Sequence, residues 1–427
     1  MSRHVAATRS NGSETGATEI DTLVVGAGPQ ALTVLSRWLT DRPAVVGDVL
    51  AVDPAGTWLR TWDRQFARQR IDVLRSPGVH HPDPDEMAFL HAHRYRSRPA
   101  GPARGSGHAL RGPLRRPETA AFARFCRDLA GRTGLAQRVR PATVVDLRPL
   151  TGEVSSSRWE AELCDGAMVR ARQVVWAGNP RLPCVPSEVE LCEVVVHAGT
   201  VDVGSARPGQ RIAVLGGGQT AGQLALGAAR CGAEVAVVCR EPLRIRDLDV
   251  DAGWLMDDHL APFASIDDPV QRRQVVEQAR RGSMTADLVD ALGRASVQCL
   301  DAAGELSARR DGRGAIVRLA GVDLPVDRVW VATGSTPDLR ADPVLARLAA
   351  AGAPHVDGWP VLDDRLRWRD GLVVIGALAA LTLGPAAGNL GGARAAAELL
   401  APHGPLGPAR GPALPVSAGS VRPNPGR

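Results

Sequence analysis

Short apolar runs, each closed by a glycine-containing turn and followed by residues with helical spacing, recur along the 427-residue chain. Two of these units match in detail. In the first, Asp21–Val25 leads into Gly26-Ala27-Gly28-Pro29-Gln30-Ala31 and a helix through Trp38. In the second, Arg211–Leu215 leads into Gly216-Gly217-Gly218-Gln219-Thr220-Ala221 and a helix through Ala229. A nearly continuous apolar run suits a strand covered on both faces, and such strands belong to parallel sheets with helical crossovers. The pattern predicts an α/β fold with two Rossmann-like dinucleotide-binding domains, the second inserted in the first. Residues 19–195 and 326–400 are expected to form the outer domain and 196–325 the inner one. The Ser/Thr/Gly-rich residues 1–18 and the Pro/Gly/Ala-rich residues 401–427 read as poorly ordered tails, and Ser97–Pro117 as a mobile loop.

Each turn has the chemistry of a pyrophosphate cradle. Gly26 permits the tight bend, Gly28 lets backbone approach a phosphate closely, and Ala31 allows the helix to lie against the strand. The free N–H groups and partial positive charge of the helix start then face the anion. The next apolar run, Asp48–Asp53, ends in an acid where a ribose-hydroxyl acceptor is expected. In the second unit Gly216, Gly218 and Ala221 take the same parts, with Gln219 and Thr220 opening the helix. There the following run, Glu234–Cys239, gives way to Arg240 instead of an acid. An arginine suits a ribose 2′-phosphate, which favours NADPH over NADH. Glu241 next to it leaves open that Arg240 is a solvated surface group.

Composition narrows the function. The formal charge is +5, but basic and acidic residues are interspersed, so no nucleic-acid stripe is formed. All 51 basic residues are arginine. The seven cysteines form no C-x-x-C pair or metal-like cluster, which argues against a redox dithiol or a metal site and fits a reducing cytoplasm. The N-terminus lacks the apolar core of a secretory signal, and Leu372–Leu383 is too short to span a bilayer. A soluble cytoplasmic protein is expected, with a small molecule as its partner, no membrane or nucleic acid, and a homo-oligomer admissible.

Over roughly residues 20 to 400 the chain resembles the flavin-containing monooxygenases and, within them, the lysine/ornithine N-hydroxylase group. Gly56-Thr57-Trp58 resembles the G-x-W element that passes near the flavin, and the run Arg172 to Pro180 resembles the first chain crossing back toward the FAD domain. His197-Ala198-Gly199-Thr200 is similar to the H-S-x-x-Y element. The Gly216–Ala221 turn is similar to the family's NADPH turn, and Asp327–Gly334 to its D-x-x-x-[LF]-A-T-G-Y signature. Gly384-Pro385-Ala386-Ala387-Gly388-Asn389, leading into a helix through Leu400, resembles the element whose helix start faces the flavin pyrimidine, where a helix dipole stabilises the anionic reduced ring. The resemblance implies that FAD is held by Gly26, Gly28, Pro29, Gln30, Asp53, Trp58, Val144, Gly178, Gly334, Leu383 and Gly384. It implies that NADPH is held by Gly216, Gly218, Gln219, Thr220 and Arg240. Ser335 stands where the family has tyrosine, Ala198 where it has serine, and no lysine exists to hold a substrate carboxylate as in the ornithine and lysine enzymes.

The segment Ile71–Asp83 is expected to face the isoalloxazine. Arg75 could bind a carboxylate with both nitrogens, and His80 or His81 could take a proton from an ammonium substrate; alternatively the histidines are loop residues packed on prolines. The insert Asp247–Asp258 resembles the segment that closes over NADP and substrate, with core packing of Trp254 as the other reading. The implied activity is an FAD-dependent, NADPH-consuming monooxygenase acting on the nitrogen of a small amine, with dioxygen as electron acceptor. A reductase or oxidase without oxygen insertion, and a non-catalytic FAD-binding regulator, are the competing functions.

Overall fold

The computed structural model describes residues 17–94, 110–112, 114–150, 158–302 and 305–401. The two expected tails, apart from residues 17, 18 and 401, and most of the expected loop Ser97–Pro117 lie outside them.

Two sheets carry the molecule, the first parallel at its centre with antiparallel strands at its periphery and the second parallel throughout. In the first, the strands run in the order Arg367–Arg369, Leu372–Val374, Met168–Trp176, Thr18–Val25, Val49–Asp53 and Val139–Pro141. An antiparallel pair, Val144–Pro149 and Trp159–Leu163, extends it from Met168–Trp176. Helices Pro29–Asp41 and Leu390–Leu400 pack together on this sheet. The first buries Leu32, Val34, Leu35, Trp38 and Leu39, each such side chain contributing about 2 kcal/mol of burial energy. In the second sheet the order is Val195–His197, Arg328–Val331, Arg211–Leu215, Glu234–Cys239 and Gln298–Asp301, all parallel. Helix Gln219–Arg230 packs on one face of it, and an antiparallel three-stranded sheet, Leu306 to Val326, shares a core with the other.

The chain passes between the two sheets twice, and the passages meet. Arg181–Pro183 going out pairs antiparallel with Ser335–Pro337 coming back. Val195–His197 and Arg328–Val331 are strands of the second sheet. The crossings therefore fall outside the expected limits of 196 and 325, because each strand that flanks the inserted unit hydrogen-bonds into it. The end of the expected mobile loop is also ordered: Leu110–Arg111 pairs with Arg116–Pro117. The buried Arg116 reaches Asp247 and Asp287 of the second domain at 2.6 Å each. No helix among the described residues is long and apolar enough to cross a membrane.

Candidate functional site

The two glycine turns are built alike, down to the hydrogen bonds. Gly26 N–H donates to Val52 O at 2.9 Å and Gly216 N–H to Val238 O at 2.8 Å. On the other side Ala177 N–H donates to Val25 O and Ala332 N–H to Leu215 O. Both first glycines have positive φ, +100° and +133°, and both lie against the residue just past a neighbouring strand, Ala177 or Ala332. A Cβ on Gly26 would come within 3.3 Å of the Ala177 carbonyl, and one on Gly216 within 2.4 Å of Ala332 O. Glycine is required here by the bend and by the neighbouring strand before any ligand is considered. Gly28 differs: it caps helix Pro29–Asp41 with φ −88°, ordinary for any residue, and a Cβ there would meet nothing within 4 Å. The opening over the helix start leaves room for a ligand.

The opening belongs to a cleft of about 530 Å³ across the carboxyl ends of the first sheet. Strands Val49–Asp53 and Leu372–Val374 lie on opposite sides of Thr18–Val25, so the cleft runs from Asp53 and Ala142–Val144 at one end to Gly376, Ala377, Gly388 and Leu390 at the other. Gly26, Gly28, Pro29, Gln30, Asp53, Val144 and Gly178 all line it. Asp53 accepts the Ala27 and Ala55 N–H groups at 3.1 and 2.9 Å, which fixes its carboxylate at the rim. Two polar atoms of lining residues are buried without a partner, Gln30 Oε1 and Trp176 Nε1. Buried polar groups normally find one, so an elongated, partly polar ligand fits this cleft. FAD meets the description: its pyrophosphate would lie over Gly28, its ribose at Asp53, and its ring would reach the Gly388 end.

Four of the residues expected to hold FAD are elsewhere. Trp58 is 4% exposed, sits in the core and donates its indole N–H to Leu135 O; Trp62, one helical turn on, lines the cleft instead. Leu383 and Gly384 pack away from the cleft, Gly384 against Trp254 and Leu260. Gly334 lies on the returning crossover, where its carbonyl accepts His197 Nε2 at 3.0 Å. Ser335, the departure from the expected tyrosine, has a partner of its own: Arg181 donates to its Oγ at 2.7 Å and to its carbonyl at 2.6 Å. Gly388 lies in the Gly384–Asn389 element that the sequence assigns to the flavin, and Trp176 in the Arg172–Pro180 run; Trp62, Gly376 and Ala377 were not singled out, and of these only Gly376, a glycine with φ +78° just past a buried strand, left a local signal.

At the second turn the counterpart of Asp53 is Cys239, not Arg240. Val25 pairs with Val52 just as Leu215 pairs with Val238, and the next residue in each case is the strand tip. Cys239 is buried, and burial pushes its thiol up to about 11, so it carries no charge. Arg240 follows it on the surface. The turn is also touched from outside: Gly282 Cα would be 3.8 Å from a Cβ on Gly218, and Gln219 Oε1 accepts the Thr285 N–H at 3.1 Å. Thr220 is exposed.

Arg75 lines the same small hollow as His80, but its donors are already engaged by protein acceptors. Its Nη2 donates to Arg246 O, Leu248 O and Ser283 Oγ at 2.7 to 2.9 Å, and its Nη1 to Ser283 O at 3.0 Å. A planar fork saturated by carbonyls is a clamp between the domains. His80 lines a small hollow of about 90 Å³ with Asp249, Leu255, Asn389 and Gly391. Asn389 is held from both ends, its carbonyl by Gln30 at 2.9 Å and its amide on Asp249 at 3.1 Å. Burial, helped by the charge of Arg394, lowers the His80 pKa and favours the neutral ring. His81 is fully buried and lowered to about 4 by burial, a core residue packed edge-on against Phe125. Trp254, of the expected closing insert, packs against Phe263. Among the described residues no group of three or more His, Cys, Asp or Glu side chains is placed to hold a metal.

No protein-family model matches the sequence, and no curated protein matches it. Solved structures do. The ornithine N-hydroxylase of Kutzneria sp. 744, in a complex with reduced FAD, NADP+ and L-ornithine, aligns over 90% of this chain and 98% of its own, with 16% identity and a TM-score of 0.70. L-lysine 6-monooxygenase from Pseudomonas syringae aligns over 90% and 98%, with 18% identity and a TM-score of 0.66. A bacillithiol disulfide reductase from Bacillus cereus also aligns over 90% and 98%, with 17% identity and a TM-score of 0.56. The chain therefore has the two-sheet α/β fold that these proteins share.

Proposed function

We propose that the chain is an FAD-dependent, NADPH-consuming monooxygenase that hydroxylates the nitrogen of a small amine. The observation that carries the amine is the hollow beside the cleft, where a carboxylate, Asp249, and a neutral imidazole, His80, share one lining with Asn389. FAD bound in the cleft would supply the passage of electrons from NADPH to dioxygen. The residues of the chain do the rest. Asp249 would attract the ammonium form of the amine, and His80 would take its proton so that the nitrogen presents a lone pair. Asn389 ties this hollow to Gln30 and hence to the cleft. Val250 and Leu255 give it apolar walls that limit water.

NADPH is preferred over NADH in this reading because no carboxylate stands at Cys239 to repel a 2′-phosphate, and Arg240 follows it. The chain has no C-x-x-C to accept electrons from the flavin, which favours oxygenation over disulfide reduction. The test is NADPH oxidation by FAD-loaded protein against a panel of small amines, with product mass and peroxide both measured. An amine gaining one oxygen in step with NADPH is the expected result. NADPH oxidation that yields only peroxide with every amine would support an oxidase, and bound FAD that NADPH leaves oxidised would support a regulator.

A further inference from the structure

Behind the Gly388 end of the cleft lies Arg280, at the carboxyl end of helix Pro269–Ala279. Its Nη1 is buried and has no hydrogen-bond partner. A Cβ on Gly388 would lie 3.4 Å from that nitrogen and 3.1 Å from the Ala377 Cβ, and both residues line the cleft. Arg181 stands nearby on the crossover. It is locked by Ser335 and reaches Asn179 Oδ1, also a lining residue, at 3.4 Å. Among the described residues neither guanidinium forms an ion pair with a carboxylate. The acid whose field reaches Arg280 is Asp249, and its Oδ1 is already taken by Asn389. Burial lowers the Arg181 pKa to about 10, with the charge of Arg280 adding to it.

Two half-paired cations in one place are costly to bury, and an anion arriving there removes the cost. A bound isoalloxazine becomes that anion during the reaction. Hydride transfer from NADPH to neutral oxidised FAD leaves NADP+ and FADH−, so one negative charge appears on the ring and none was there before. We propose that Arg280, positioned with Arg181 behind it, receives the negative charge of the reduced flavin and thereby raises its reduction potential. The inference rests on the FAD reading above and names the residues that tune the bound ring.

The test uses the full-length chain reconstituted with FAD, as wild type, Arg280→Met, Arg280→Lys and Arg181→Met. Oxidised FAD should bind Arg280→Met as it binds wild type, because the oxidised ring is neutral. The two-electron midpoint potential should fall by about 30 mV for each tenfold loss of affinity for reduced over oxidised flavin, and at least one such step is expected. Sulfite, which places a negative charge on the ring when it adds at N5, should bind Arg280→Met at least tenfold more weakly. Arg280→Lys should recover most of both effects, and Arg181→Met should shift both in the same direction by less. Wild-type protein that takes up no flavin would refute the FAD reading itself. Flavin bound by Arg280→Met with unchanged potential and unchanged sulfite affinity would overturn the inference. So would an unchanged potential combined with lost binding of a carboxylate-bearing amine, which would assign the pair to a substrate anion. Should Arg280→Met fail to fold, Arg280→Gln and Arg181→Met carry the same comparison.

Discussion

Replacing Gly28 by alanine separates the demands of the fold from those of the cofactor. The backbone at Gly28 has φ −88° and ψ 180°, open to any residue, and a new methyl would meet no protein atom within 4 Å. The loss to the ligand-free protein is confined to a poorer helix cap, about 0.5 to 1 kcal/mol. With a pyrophosphate in place the same methyl would stand between it and the helix start. Displacing one or two charge-assisted hydrogen bonds, each about 1.5 to 3 kcal/mol, gives a loss near 3 kcal/mol, on the order of a hundredfold in FAD affinity. Gly26→Ala is the control with the opposite signature. Its φ of +100° and the Ala177 backbone 3.3 Å away strain the polypeptide itself, for about 1 to 3 kcal/mol whether or not FAD is present. Thermal unfolding of the flavin-free proteins and fluorescence titration with FAD read the two quantities apart. FAD affinity in Gly28→Ala equal to wild type would refute the placement of the pyrophosphate over this turn.

Three further outcomes are expected. Trp58→Phe should destabilise the fold by about 1 to 3 kcal/mol, because the buried Leu135 carbonyl loses its indole donor, while FAD affinity stays unchanged; chemical denaturation and flavin titration check both halves. Arg240→Ala should weaken NADPH binding by roughly ten- to a hundredfold and leave NADH unaffected, as the loss of one charge-assisted contact of about 1.5 to 3 kcal/mol requires; titration with the two nucleotides decides it. His81 is held down to about 4 by burial, so above pH 6.5 it is neutral in both folded and unfolded chains and costs nothing. As pH falls from 6.5 toward 4 the unfolded chain takes a proton that the folded one refuses, and up to about 3 kcal/mol of stability is lost. Urea unfolding across that range should show this slope in wild type and a flatter one in His81→Phe.

What the sequence could show was set by range. The Gly26 and Gly216 units are local: strand, bend and helix are contiguous, and the positive φ of the bend calls for glycine by itself. Such units are legible from pattern alone. Trp58 illustrates the limit, since a motif match places the tryptophan near the cleft but cannot tell whether it or Trp62 turns inward; the helix Arg60–Arg68 decides that by its rotation. Arg240 was misaligned by one residue because the register Leu215 to Val238, which makes Cys239 the strand tip, is a property of the sheet. Arg75 looked like a carboxylate binder because its five donors suit one. The carbonyls that use them are about 170 and 208 residues away in sequence, and no local pattern predicts such a pairing.

These long-range arginine contacts converge on one loop. Arg75 holds the carbonyls of residues 246 to 248, Arg116 holds the Asp247 carboxylate, and Asn389 holds Asp249. All three partners come from the first domain, whereas the loop belongs to the second. The hollow that Asp249 and His80 line therefore exists only while the two domains are docked, and its acid is placed by contacts from the first domain rather than by its own strand. A lysine offers one compact charge in place of a planar set of five donors and could not span three successive carbonyls. A chain that uses arginine at every basic position is suited to this arrangement: the joint between its domains is fixed by hydrogen-bond geometry as much as by charge. The hollow would then be lost to a small rotation of one domain against the other, even with both glycine turns intact.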